Sequence, residues 1–309
     1  MPSLATPHRY TFAGSLIASD RLLPLVTSQG AEQEPTLRIH AERELGAQPP
    51  VEDIGCVSSE PGQALLYYPW TGYIRVTGGA RITYNPASED EAALLDTLLT
   101  GAALGVALHQ RGHFTLHASA VQIGDEAVAL VGGMRAGKTT LACAFQAAGH
   151  TILADDMIVF GGSEQVSVWP GVPEVRVDPD VLLNIVRIEP TTLRRIHPSS
   201  GRRILPVPTQ QVPAPVPLRA IVSLTEGERA PWERLRPPQA FMELLQHAYA
   251  PRLLRHDSVT PGHLSQLQRL ATQVPVYTLH RPMSLKDVPD TVSWVTERLA
   301  QRTTSTPDP

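Results

Sequence analysis

Gly132-Gly133-Met134-Arg135-Ala136-Gly137-Lys138-Thr139-Thr140 (GGMRAGKTT, residues 132–140) fits the phosphate-loop pattern G-x-x-x-x-G-K-[ST] through Gly132, Gly137, Lys138 and Thr139. The apolar run Ala127–Val131 precedes it, and Thr140–Phe145 continues as a helical pattern. Strand, loop and helix in that order are the context the motif requires. Glycines at 132, 133 and 137 let the backbone approach a phosphate that a side chain would exclude. Successive N–H groups across Met134, Arg135 and Ala136 then form an anion nest, to which the following helix adds its positive end. Lys138 reaches the β- and γ-phosphates, and the Thr139 hydroxyl joins a Mg²⁺ shell. A glycine-rich turn that merely happens to carry Lys-Thr leaves the flanking patterns unexplained. The ligand expected is therefore a nucleoside triphosphate with its metal.

The remaining composition narrows the class. A chain of 309 residues suits one large domain or two modest ones, and 42% hydrophobic residues suffice for a core. A net charge of −4 gives no general attraction to nucleic acid. Two distant cysteines, Cys56 and Cys143, make neither a disulfide framework nor a zinc site. The N-terminus lacks a basic segment followed by an apolar one, and no run suggests the ~18 apolar residues of a membrane span. A cytoplasmic protein is expected, in the compartment that supplies ATP.

The chain divides near Arg111-Gly112. Residues 1–111 read as a smaller N-terminal α+β accessory domain. Its short segments Tyr10–Phe12, Leu37–Ile39, Leu65–Tyr68, Tyr73–Val76 and Arg81–Tyr84 are expected to be antiparallel strands. A helix over Glu89–His109 follows, with Leu94, Leu95, Leu98, Leu99 and Leu104 as its apolar stripe. Residues 112–302 form the domain that carries the phosphate loop. His113–Val121 alternates as a half-buried strand. Strands are expected at Ile152–Ala154, Met157–Phe160, Val166–Trp169, Glu174–Val177, Ala220–Leu224 and Val276–Leu279. Helices are expected near Pro179–Val186, Ala240–Ala248, His263–Gln273 and Asp287–Arg302. The five prolines of Pro206–Pro217 mark extended loop. The tail 303–309 is expected to be disordered.

Asp155-Asp156 closes a short apolar strand one helix beyond Lys138. Carboxylates there can hold Mg²⁺ and accept a proton from an attacking hydroxyl. A surface Asp-Asp turn is the plainer reading, but the buried strand before the pair favours a site. His117 lies on the strand that leads to the loop strand, where a histidine is either a hydrogen-bonded structural residue or an active-site group. His113 reads as structural. Arg187, Arg194, Arg195, His197, Arg202 and Arg203 make a basic stretch that reads first as a solvated face, and otherwise as a clamp for phosphates or acidic peptide.

The series LHASAV (116–121), the phosphate loop and GH-x-x-x-A-D-D (149–156) resembles the catalytic half of the bacterial HPr kinase/phosphorylase family. It is most similar to divergent HPr-kinase-like proteins with an HASAV strand. Some of those stand in gene clusters for ribosomally made peptides, lasso peptides included, and phosphorylate the precursor on serine. The resemblance implies an α/β fold: a phosphoenolpyruvate-carboxykinase-like nucleotide-binding domain, with the phosphate loop on a mixed sheet. It implies that His117 is the histidine near the γ-phosphate, that residues 132–140 are the nucleotide loop, and that Asp155 and Asp156 are the acidic pair. Glu174 and Arg176 match a Glu-x-Arg element whose acid helps to hold metal. Met134-Arg135 departs from the usual Ser-Gly, and the phosphorylase signature has no counterpart, so phosphorolysis is not implied.

The expectation is an ATP- and Mg²⁺-dependent kinase acting on a hydroxyl, foremost serine of a protein or peptide. In it Asp155 is the base, Thr139, Asp156 and Glu174 hold metal, Lys138 neutralises phosphate charge and His117 orders the γ-phosphate or the acceptor. A small hydroxylated metabolite as acceptor, a nucleotide-binding regulatory protein with little catalysis and an ordinary phosphate-loop ATPase are the alternatives. No nucleic-acid or membrane partner is expected, and a homo-oligomer is compatible with the resemblance.

Overall fold

The computed structural model describes residues 7–28, 33–43, 45, 55–60, 62–86, 88–208, 214–228, 232–250 and 259–301. The tail 303–309, residues 209–213 of the proline-rich stretch and the Cys56 side chain lie outside them.

Alternating apolar and polar residues with glycine turns give the first part its strands: β1 (His8–Phe12), β2 (Ser15–Ser19), β3 (Val26–Thr27), β4 (Leu37–Ala41), β5 (Gly55–Glu60), β6 (Gln63–Tyr68), β7 (Gly72–Thr77) and β8 (Arg81–Tyr84). They form one sheet in the order β3-β1-β2-β4-β8-β7-β6-β5. Each strand expected from the sequence lies in it, but the sheet is not all antiparallel. After the β1–β2 hairpin the chain detours to the edge as β3 and returns beside β2, so β4 runs parallel to β2; it also runs parallel to β8. Strand β2 escaped sequence reading because all five of its residues are buried, which erases the alternation.

The helix Ala92–Gln110 is apolar on more than one stripe. Contrary to expectation, it has the length and hydropathy of a membrane span, and 78% of the apolar window is buried inside the protein. A helix packed nearly all round has no face to keep polar. Leu95, Leu99, Leu104 and Val106 pack with Tyr10, Ile17, Leu66 and Ile74 of the sheet. Met157, Val159 and Tyr249 join that same cluster, so residues on both sides of Gly112 share a core. Between Leu99 and Ala103 the helix widens into a π turn.

The second sheet contains β9 (Thr115–Leu116), β10 (Ser119–Ile123), β11 (Glu126–Gly132), β12 (Thr151–Ala154), β13 (Ile158–Gly161) and β14 (Ser167–Trp169). A separate hairpin, β15 (Glu174–Val177) with β16 (Arg203–Pro206), follows, and β17 (Val216–Glu226), β18 (Glu233–Arg234) and β19 (Val276–Arg281) complete the sheet. The order is β12-β10-β11-β17-β14-β13-β9, with β19 also on β17 and β18 on β19. β11, β17 and β19 are parallel and the rest antiparallel, a mixed sheet. Alternate residues of β11 enter two cores. Val128 and Leu130 meet Leu141 and Phe145 of the helix Lys138–Ala147, with Val292 and Val295 of the helix Val288–Gln301. Ala127, Ala129 and Val131 face Leu244 of the helix Pro237–Gln246 and Leu267 of the helix Pro261–Gln273. Covered on both faces, β11 reads as an unbroken apolar run.

His113–Val121 is not one strand. Thr115 and Leu116 pair with β13, whereas from Ser119 onward the chain pairs with β11 and β12, and His117-Ala118 form the break. Thr115 and Ser119 are as buried as Phe114 and Leu116, so the alternation reflected no solvent face.

Candidate active site

Strand β11 ends at Gly132, where a Cβ would stand 2.9 Å from both the Ala136 Cβ and the Leu224 carbonyl oxygen. Gly137, at φ +82°, opens the helix Lys138–Ala147. Arg135 and Met134 are exposed at the rim of the loop. The Lys138 ammonium, buried, folds back over the bend and donates to the carbonyls of Gly132 (2.9 Å) and Gly133 (3.1 Å).

Against the loop, and lining the same cavity, stands Arg281, 2% exposed, at the carboxyl end of β19. Its Nη2 donates to the Ala136 carbonyl at 3.0 Å, and burial lowers its pKa.

The two aspartates divide their contacts. Asp155 Oδ1 accepts from Ser119 Oγ at 2.5 Å and from Thr139 Oγ1 at 3.0 Å. Burial pushes its pKa up against those hydroxyls, with the Asp156 charge adding to the rise. Asp156 takes a left-handed backbone, φ +69°. Its Oδ2 lies 2.8 Å from Arg176 Nη2 and accepts from the Tyr249 hydroxyl at 3.2 Å. His117 Nδ1 is 3.3 Å from Asp156 Oδ1 and 3.0 Å from the Asp156 carbonyl oxygen. Burial alone would raise the Asp156 pKa; Arg176, then His117 and Tyr249, outweigh it and hold the carboxyl well below the usual range.

The contacts set the two acids in different surroundings. Thr139 touches Asp155, the residue read as a free base, and not Asp156, the residue read as its metal-holding partner. β12 ends at Ala154, so the carboxylate that follows meets the loop helix, and the left-handed backbone of Asp156 turns the next one toward Arg176. Glu174 also stands apart: its carboxylate is 3.8 Å from Arg194, and it faces a crevice of about 30 Å³ beside the aspartates. Among the described residues no three His, Cys, Asp or Glu side chains gather as a metal cage. Mg²⁺ seldom uses one, since phosphates and water supply most of its ligands.

His117, Lys138, Thr139, Asp155, Asp156 and Arg176 border one cavity of about 710 Å³, within the range of small-molecule sites. Of the basic stretch, Arg202 reaches it; Arg194 pairs with Glu174, and Arg195 donates to the Pro198 carbonyl. Sequence reading missed Ser119, Tyr249 and Arg281. Tyr249 has no motif to announce it: the segment 247–249 is drawn beside β9, with His117 N donating to the His247 carbonyl (2.8 Å) and Tyr249 N to that of Thr115 (2.9 Å). Arg281 did carry a signal, because it ends a strand of the parallel set, the edge where ligands bind in α/β sheets.

No family model matches the chain, and no curated protein matches it. Among solved structures it is similar to the Hpr(Ser) kinase/phosphatase from Coxiella burnetii, at 14% identity over 62% of this chain and 99% of that one, with a TM-score of 0.32. A likeness so distant says nothing about chemistry.

Proposed function

We propose that the chain is an ATP-dependent phosphotransferase that moves the γ-phosphoryl group to a hydroxyl, foremost a serine of a protein or peptide. The observation that carries the reading is the pairing of Thr139 with Asp155 at 3.0 Å at the mouth of the glycine loop, beside a second carboxylate fixed by three other side chains. A binding module needs the first pair; it has no use for the second acid.

Steric and chemical features of the loop suit a triphosphate. Gly132 and Gly137 leave no room for a Cβ, and the nest lies at a helix N-terminus. Thr139 and Asp155 would hold Mg²⁺, which supplies charge neutralisation at the phosphates when bound. Lys138 exchanges two loop carbonyls for phosphate oxygens. Asp156 keeps acceptor capacity on Oδ1, since Arg176 and Tyr249 occupy Oδ2. It takes the proton of the acceptor hydroxyl as the new O–P bond forms and the bond from γ-phosphorus to the β–γ bridging oxygen breaks, releasing ADP. His117 orients the γ-phosphate or the acceptor. Proximity and electrostatics carry most of the rate, as phosphoryl transfer allows. The serine preference is supported by the resemblance of residues 116–156 and by no contact of its own.

The test incubates the chain with radiolabelled Mg-ATP, offering serine-bearing peptides and small hydroxylated metabolites side by side, with Lys138→Ala as control. Label on peptide that Lys138→Ala abolishes is expected. Label on a metabolite moves the acceptor class, and nucleotide binding with no transfer overturns the reading.

A further inference from the structure

We infer that the N-terminal helix Ala92–Gln110 is a wall of the reaction site, and that Gly101 and Gly105 seat Tyr249 so that its hydroxyl positions Asp156. The inference rests on the phosphotransfer reading for the role of Asp156, and on independent packing for the contact itself.

Gly101 lies in the π turn, and Gly105 one turn beyond it. Neither adopts a positive φ, so neither is demanded by backbone conformation. Glycine costs helix stability at such places, and packing has to explain it. A Cβ on Gly105 would stand 2.4 Å from Tyr249 Cε1 and 2.7 Å from Cδ1. On Gly101 it would stand 3.4 Å from the Tyr249 hydroxyl, 3.8 Å from Asp156 Oδ2 and 4.0 Å from Arg176 Nη1. The helix backbone thus passes over both ends of the tyrosine and beside the carboxylate it holds. π turns concentrate at functional sites, and this one is where the helix meets Asp156.

Asp156 needs that support. A non-glycine residue in the left-handed region persists only where its surroundings over-determine it. Arg176, His117 and Tyr249 hold the carboxylate, and the helix holds Tyr249, which is 7% exposed. Burial raises the Tyr249 pKa well above its ordinary value, so the hydroxyl stays a donor. Phe12 of β1 and Thr97 and Thr100 of the helix line the crevice that also touches Asp155 and Asp156. Residues before Gly112 are therefore part of the site. Tyr249 and the two glycines are positioning residues, acting through Asp156.

The experiment uses the full chain with Tyr249→Phe, Gly101→Ala and Gly105→Ala, measuring kcat, KM for ATP, nucleotide affinity and melting temperature. Tyr249→Phe should lower kcat by roughly tenfold, with nucleotide affinity and melting temperature held. Gly101→Ala, which sets a methyl 3.4 Å from the Tyr249 hydroxyl and 3.8 Å from Asp156 Oδ2, should lower kcat less than Tyr249→Phe does and leave KM for ATP unmoved. Gly105→Ala should cost more, and should cost little further in a Tyr249→Ala background, where only the flexible Met157 Sδ, 3.2 Å from the added Cβ, still has to give way. Full kcat in Tyr249→Phe, or additive losses in the double variant, overturns the inference. Should the wild-type chain transfer to no acceptor, the phosphotransfer reading falls separately. The contact is then read from the ¹⁹F resonance of 3-fluorotyrosine at 249, assigned by its loss in Tyr249→Phe. A shift on Asp156→Asn and on Gly101→Ala upholds the contact; an unmoved resonance overturns it.

Discussion

The guanidinium of Arg281 lies against the glycine loop 132–140, its Nη2 donating to the carbonyl of Ala136. Among the described residues no carboxylate pairs with it, and its buried Nε has no hydrogen-bond partner. A buried cation without an acid is costly, and an anion entering the cavity that Arg281 itself lines offsets that cost. Arg281→Met should therefore keep or raise the melting temperature of the nucleotide-free chain while weakening Mg-ATP binding about tenfold, the two read by calorimetry and thermal melt. Gly137→Ala should abolish binding, since its Cβ would fall 1.9 Å from Nη2 at a φ of +82° that alanine also resists. A weaker melt with unchanged affinity in Arg281→Met would make the residue a simple brace of the fold.

The division of the aspartates has its own test. Lys138→Ala removes the cation at the phosphates, so nucleotide affinity should fall with activity. Asp155→Asn leaves the Thr139 hydroxyl without its carboxylate, and should abolish transfer while raising the Mg²⁺ concentration needed for nucleotide binding. Asp156→Asn should retain Mg-ATP binding within a few-fold and lose kcat by about 10²-fold or more, the scale of a lost proton acceptor. Titrating Mg²⁺ against each variant separates them. If Asp156→Asn is the one that shifts the Mg²⁺ requirement, the roles revert to those expected from the sequence.

What the sequence disclosed, and what it hid, follows from the range of each interaction. The loop at 132–140 is local: its glycines, Lys138 and Thr139 are all fixed within one strand–turn–helix, so spacing alone placed them. Asp155 and Asp156 were found as a pair, but which faced Thr139 depended on the left-handed turn at Asp156, which spacing does not encode. Tyr249 lies 93 residues from Asp156, and its contact arises only when the segment after the helix Pro237–Gln246 is drawn beside β9. The antiparallel expectation for the first sheet holds except at β4, and it fails there for a similar reason. Strand parity is set by the detour through β3, a feature of connection and not of any one strand's pattern.

Glu243 contributes to the acid dependence of stability, apart from the site. Its carboxylate lies 3.2 Å from His247 Nε2 and accepts from the Ser223 hydroxyl at 2.5 Å. The His247 hydrogen bond lowers its pKa from the ordinary 4.5, with Ser223 aiding and burial opposing. A depressed carboxyl pKa favours the charged form in the fold. Its stabilisation is thus complete above 4.5 and is lost as pH falls through the lower folded value. Glu243→Gln should melt below wild type at pH 7, and the gap should close as pH is lowered beneath that window. Because the His247 carbonyl accepts from His117 N, transfer activity should weaken in the same variant. A gap that widens on acidification would refute the sign.

The thiol of Cys143 offers a probe of the loop helix that needs no acceptor. It lies one turn after Thr139, fully buried, and burial, with the Asp155 charge adding, pushes its pKa up to about 12. At pH 8 the native thiol is therefore both covered and protonated, and alkylation requires the helix to open. In a Cys56→Ser chain, which leaves one cysteine, iodoacetamide should label slowly in the native state and at once in denaturant. Any ligand that binds only the closed form slows labelling by a factor of 1 + [L]/Kd, so Mg-ATP at about 100 times its Kd should slow it roughly 100-fold. Lys138→Ala should lose most of that protection. Rapid native labelling that Mg-ATP leaves unchanged would mean that the helix after Gly137 does not sense the nucleotide, and the loop would lose its assigned ligand.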